Sequence, residues 1–216
     1  MYRNNVDEHL ISAFDLIVKG EFKKAKDFAL PFLNSSNILQ KNQACLLIAT
    51  CKYQTANFEG ALKDLKEIDH WENKEALGLS AICMAHLGRI DEAESRFDKA
   101  TSLEKGAHGY LTYDMVLIYL KALCNAGALK NIKKHIDLFM RIYASLGITD
   151  PTFLAIREIP PLEEFLIEVK KAVKSGYRDL DENDWLDLYL KVDDEGKSSL
   201  KELFILAGWT LPPVAP

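Results

Sequence analysis

The chain lacks the marks of most chemistries. No stretch approaches the roughly 18 consecutive apolar residues of a membrane-spanning helix, and Met1 to His9 is polar, without the apolar centre of a secretory signal. A cytoplasmic location with no membrane insertion is therefore expected. Lys and Arg number 27 against 32 Asp and Glu in 216 residues, a formal net charge of -5. Nucleic-acid binders draw affinity from a basic face that displaces counterions, so no nucleic-acid partner is expected. The four cysteines, Cys45, Cys51, Cys83 and Cys124, contain no CxxC spacing and sit in apolar text such as ACLLIATC. Such thiols read as small buried hydrophobes in a reducing compartment rather than as disulfides or metal ligands. The five histidines, His9, His70, His86, His108 and His135, form no HExxH and no paired ligand spacing. The chain has no GxGxxG, no Walker loop and no GxSxG elbow. No enzyme activity, cofactor or resident metal is expected.

What is present is helical text. With 48% hydrophobic and 27% charged residues, the chain can bury a substantial core or build an elongated repeat array. Ala76 to Leu103 spells two short amphipathic helices hinged at His86-Leu87-Gly88-Arg89. The same punctuation recurs as GEFKKA from Gly20, ANFEGA from Ala56, GRIDEA from Gly88 and, more weakly, GALKNI from Gly127. Five residues after each hinge stand Ala25, Ala61 and Ala93, with Ile132 breaking the rule in the fourth unit. Two residues after each hinge stand Phe22, Phe58, Ile90 and Leu129. Small residues let two helices approach closely and large ones fill the gaps beside them, so this order is more specific than an apolar stripe, which any bundle shows.

Together with Phe97 and Ala100 in the second helix after Gly88, the pattern resembles the tetratricopeptide repeat, a unit of about 34 residues whose hinges here recur at roughly 32 to 39. The resemblance implies an all-α fold: a right-handed α-solenoid of about four helix pairs over 1–147, with a C-terminal helical cap and tail over 148–216. Helices are expected near 6–19, 22–33, 38–54, 58–68, 74–87, 90–103, 108–126 and 129–146, and no segment reads as strand. Asn34-Ser35-Ser36-Asn37 reads as a loop with capping residues, and Lys105-Gly106 closes the third unit. Past Gly147, Pro151, Pro160 and Pro161 interrupt the helical text. A further helix runs from Pro161 to Gly176, followed by shorter ones near 182–191 and 198–207 and a frayed tail, LPPVAP.

In this family the first helix of each pair lines a concave groove. The resemblance places the groove at Leu10 and Phe14 in unit one, Leu46, Thr50 and Tyr53 in unit two, Ile82 and His86 in unit three, and Leu117, Lys121 and Asn125 in unit four. The family's carboxylate clamp uses lysine and asparagine where this chain has Leu10 and Phe14, and Leu46 and Thr50, so recognition of a chaperone tail of that kind is not expected. A largely apolar groove suits an amphipathic helix or an extended segment of another protein. The expected function is a non-catalytic scaffold or adaptor, with homodimerisation open. One alternative fills the groove with the chain's own C-terminal helices around Phe165, Trp185, Leu188, Phe204 and Trp209. Another is a chaperone of a secreted or membrane-inserting protein, similar in general type to type III secretion chaperones, although those have fewer units and no long cap.

A third alternative is a calcium-responsive or catalytic subunit using the acidic segment 179–195, which carries Asp179, Asp181, Glu182, Asp184, Asp187, Asp193, Asp194 and Glu195. Within KVDDEGKSSLKE, Asp193, Glu195, Gly196 and Glu202 fit a calcium loop, but Lys191 stands at its first position and Ser198 at its eighth. A solvated turn with helix-capping carboxylates is the plainer expectation. Lys130, Lys133 and Lys134 form a small basic cluster, expected to be a solvated face.

Overall fold

A computed structural model describes residues 8–68, 72–103 and 113–211. Every regular element among them is helical. The helices are α1 (Ile11–Val18), α2 (Phe22–Ala29), α3 (Ile38–Gln54), α4 (Phe58–Glu67), α5 (Lys74–His86) and α6 (Ile90–Ser102) in the first part of the chain. They continue with α7 (Tyr113–Asn125), α8 (Lys133–Leu146), α9 (Pro151–Ile156), α10 (Leu162–Lys174), α11 (Glu182–Lys191) and α12 (Asp194–Ala207). The chain forms two compact units, Met1–His108 and Gly109–Pro216. No described helix is long and apolar enough to cross a membrane.

The hinge motif has one physical form in all four places. Gly20, Ala56, Gly88 and Gly127 have φ between 57° and 75°, a left-handed conformation that ends a helix. At each hinge two amides fold back onto the last turn. Gly20 N–H donates to the Ile17 carbonyl and Glu21 N–H to that of Leu16, both at 2.9 Å. The same pair of bonds, at 2.9 to 3.1 Å, closes the helix before Ala56, Gly88 and Gly127. The next helix then starts at once: the amides of Ala25, Ala61 and Ala93 donate to the carbonyls of Glu21, Asn57 and Arg89, each at 3.0 Å. All three alanines are buried, at 1% exposure or less. At the fourth hinge, where Ile132 replaces alanine, a 3-10 turn (Leu129–Asn131) intervenes before α8.

In the first unit each hinged pair packs together, α1 on α2, α3 on α4 and α5 on α6. Adjacent pairs join through α2 with α3 and α4 with α5, and the first helices meet as α1 with α3 and α3 with α5. The core between pairs is apolar: Ala49, Ala61, Leu65, Ile68, Leu79 and Cys83 form one cluster, and Leu10, Ala13, Ala29, Ala44, Leu47 and Ile48 another. Burial of such area stabilises at about 25 cal/mol per Å². Asparagine side chains cap α3, α4 and α5: Asn37 accepts from the Leu39 and Gln40 amides, Asn57 from Gly60 and Asn73 from Ala76, at 2.9 to 3.3 Å. Each such cap contributes about 1 kcal/mol.

The second unit is held by an aromatic core. Phe139 and Tyr143 on α8, Phe165 on α10 and Trp185 on α11 are essentially buried, with successive ring centroids 5.1 to 6.2 Å apart. Trp209 and Phe204 extend the chain of rings at 6.5 and 5.4 Å. Tyr143 also donates its buried hydroxyl to the Pro160 carbonyl at 2.8 Å.

Other boundaries depart from expectation as well. Leu10 lies in a 3-10 turn (Glu8–Leu10) ahead of α1 rather than inside it. Pro151, expected only as an interruption, opens the short helix α9, because its missing N–H costs nothing at a first helical position and Asp150 caps the Phe153 amide at 2.8 Å. Helix α12 begins at Asp194, ahead of the expected 198, because Asp193 caps the Gly196 amide at 2.9 Å.

Candidate functional site

The sequence-derived groove residues separate into floor and surface. Leu10 and Ile82 are 0% and 2% exposed, so they support the fold from below. Phe14 on α1, Leu46, Thr50 and Tyr53 on α3 and His86 on α5 are half-buried. Leu46, Thr50 and Tyr53 share one face of α3 because they lie at i, i+4 and i+7. The Thr50 hydroxyl is spent locally, donating to the Leu46 carbonyl at 2.9 Å.

The best-defined corner of this surface is aromatic. His86 stacks on Phe58, with centroids 4.3 Å apart and planes within 4°, and Tyr53 stands 6.1 Å from His86 and 6.0 Å from Phe58. Phe58, the large residue after the second hinge, thus carries the imidazole as well as filling a gap between helices. Its position two residues past a hinge announces burial, while the stacking partner arrives only through the packing of α4 on α5. Burial, and secondarily Cys83, raises the Tyr53 hydroxyl above the usual tyrosine range. Behind the corner, Lys52 bridges to Asp64 at 2.6 to 2.8 Å and to the Gly60 carbonyl at 3.3 Å, tying α3 to α4.

Leu117, Lys121 and Asn125 lie on α7 in the second unit. Leu117 is buried, whereas Lys121 and Asn125 are exposed. Helix α10 packs against α7 and α8, with Cys124 Sγ 3.9 Å from the Glu168 carbonyl. The chain's own helix therefore lies against α7, and Phe165, Trp185, Leu188 and Phe204 are consumed in the core of this unit.

The acidic segment does structural work. Asp193 accepts from the Thr149 amide at 2.8 Å, from the Thr149 hydroxyl and from the Gly196 amide, fastening the start of α12 to the loop before α9. Burial pushes this carboxyl up, and the bonds from Thr149 and Gly196 with the Lys197 charge outweigh it, so the net shift is downward. Its neighbours pair with lysines: Asp194 with Lys197 at 3.4 Å and Asp187 with Lys191 at 2.6 Å. No three His, Cys, Asp or Glu side chains converge as metal ligands among the described residues. His135 is buried edge-on to Tyr119, centroids 5.3 Å apart, and His9 is exposed beside Glu8. His70 and His108 lie outside the described residues. In the basic cluster Lys130 is exposed and Lys133 stands 3.5 Å from Asp137. Cys45, Cys51, Cys83 and Cys124 are all free thiols.

Comparison with protein-family models, curated proteins and solved structures finds no match to this chain.

Proposed function

We propose that the chain is a tetratricopeptide-like repeat protein, a right-handed α-solenoid of about four helix pairs with a C-terminal helical cap, acting in the cytoplasm as a non-catalytic scaffold. Its first helices bind a segment of another protein, either an amphipathic helix or an extended apolar stretch. The fourfold recurrence of the hinge, with its left-handed residue and its pair of returning amides, supports the repeat. The observation that carries the binding role is the half-buried row formed by Phe14, Leu46, Tyr53 and His86 on α1, α3 and α5. Large apolar and aromatic side chains left partly in water on consecutive helices gain contact area when a partner covers them. Helix α10 against α7 fits the role of a cap that shields the last pair.

The test is the double variant Phe14→Asp with Leu46→Asp, checked by circular dichroism for an intact helical fold. Binding of partners captured by the full chain is expected to fall at least tenfold, because buried aromatic anchors each carry about 2 kcal/mol or more when they are hot spots. Unchanged capture by the folded variant refutes the groove.

A further inference from the structure

Helix α5 presents a second face that the proposed groove leaves unused. At about 100° per residue, Leu77, Ser80 and Met84 lie roughly opposite Ile82 and His86, with Ala76 beside them. They floor a cavity of about 510 Å³ walled by α4 and α6, within the range of about 300 to 1,000 Å³ typical of ligand clefts. Leu62 and Leu87 continue the apolar lining towards its edges. Ser80 supplies the one hydroxyl among the lining residues.

The walls reverse the sign of the chain. Lys63 and Lys66 on α4 and Arg89 and Arg96 at α6 face the cavity, against only Glu59 and Glu92, in a chain whose formal net charge is -5. Glu92 is engaged by Arg89 through two bonds of 2.8 and 2.6 Å, and that hydrogen bonding holds its carboxyl below the usual range. Lys63 and Lys66 are exposed, and no ion pair joins either to a carboxylate among the described residues. Ala76 to Leu87 rises about 16 Å at 1.5 Å per residue, the reach of about five residues of extended chain.

We propose that this cavity binds a short acidic amphipathic peptide segment of a partner protein. Its apolar side chain rests against the half-buried Leu62 and Leu87, above the buried Leu77 and Met84, and its carboxylates meet Lys63 and Lys66. Carboxylates beside Lys and Arg make the stronger class of hydrogen bond, while the apolar floor supplies area. The site stands on the opposite side of α5 from the groove proposed above, so either can fail without the other.

The probe is a random dodecapeptide library panned on the full chain, with enriched peptides then measured by fluorescence anisotropy. Peptides combining Asp or Glu with an apolar residue are expected, and their dissociation constants should rise at least tenfold on Lys63→Glu with Lys66→Glu and less on the Gln pair. Both lysines are exposed, so the fold survives either change. No enrichment, enrichment without acidic residues, or equal affinity for the charge-reversed chain overturns the proposal. Loss of binding through Phe14→Asp with Leu46→Asp instead would place the peptide on the other face and overturn it as well.

Discussion

Replacing Gly196 with alanine sets two effects against each other. Within a helix alanine is favoured over glycine by up to about 1 kcal/mol, and Gly196 lies in the first turn of α12. A methyl group there meets Thr149 Cγ2 at 2.8 Å, Thr149 Oγ1 at 2.9 Å and Val192 Cβ at 2.9 Å. None of these yields cheaply. Val192 Cβ moves only with its backbone, and Thr149, 3% exposed, is held to Asp193 by both its amide and its hydroxyl. Overpacking of this kind costs about 1 to 3 kcal/mol, and each bond to an ionised acceptor that breaks costs about 1.5 to 3 more. The clash wins, with a net loss of about 2 kcal/mol or more expected. Gly60→Ala is the internal control. Its methyl meets the Asn57 side chain at 2.6 Å, but Asn57 is exposed and can turn away, losing a cap of about 1 kcal/mol and regaining about the same in propensity. Urea unfolding followed by far-UV circular dichroism measures the stability of both variants against the wild type. A Gly196→Ala chain as stable as the wild type, or a larger loss from Gly60→Ala, refutes the reasoning.

Ala56 is the one hinge residue that is not glycine, at φ 57°. The left-handed conformation costs alanine about 1 to 2 kcal/mol while glycine gives back part of that in unfolded-state entropy. Ala56→Gly should therefore raise the stability of the first unit by about 0.5 to 1 kcal/mol in a urea melt, and a loss would show that the hinge is not strained. The thiols should be inert in the native state. Burial, aided by Asp64 for Cys45, pushes Cys45 and Cys51 up to about 11, and burial, aided by Glu168 for Cys124, pushes Cys83 and Cys124 up to about 12. Raised values suppress the thiolate at pH 8, so Ellman's reagent should react with all four only on unfolding, and one fast native thiol contradicts this.

Much of the local structure was legible in the residues. A left-handed hinge, an alanine five positions on and a bulky apolar residue between them follow from backbone sterics and helix approach, both of which act over a few neighbours. Asn37 announces a helix start for the same reason, since a cap is a bond across two or three residues, and Asn57 and Asn73 cap α4 and α5 in the same way. Asp193 carried the same signal within an acidic run. The cap was thus expected among those carboxylates, whereas the second partner of Asp193, Thr149, was not, because it is 44 residues away.

The sequence by itself therefore determined the all-helical class, the four hinges and the large residue that stands two places after each of them. Only the tertiary structure decided which of the nominated groove residues are surface and which are floor. Leu10, Ile82 and Leu117 are as apolar as Phe14 and Leu46, and only packing tells them apart. It also decided that His86 stacks on Phe58, that α10 lies against α7, and that Lys63, Lys66, Arg89 and Arg96 border one cavity. Side chains on separate helices acquire a common environment only when those helices pack, and no spacing along the chain records which faces meet.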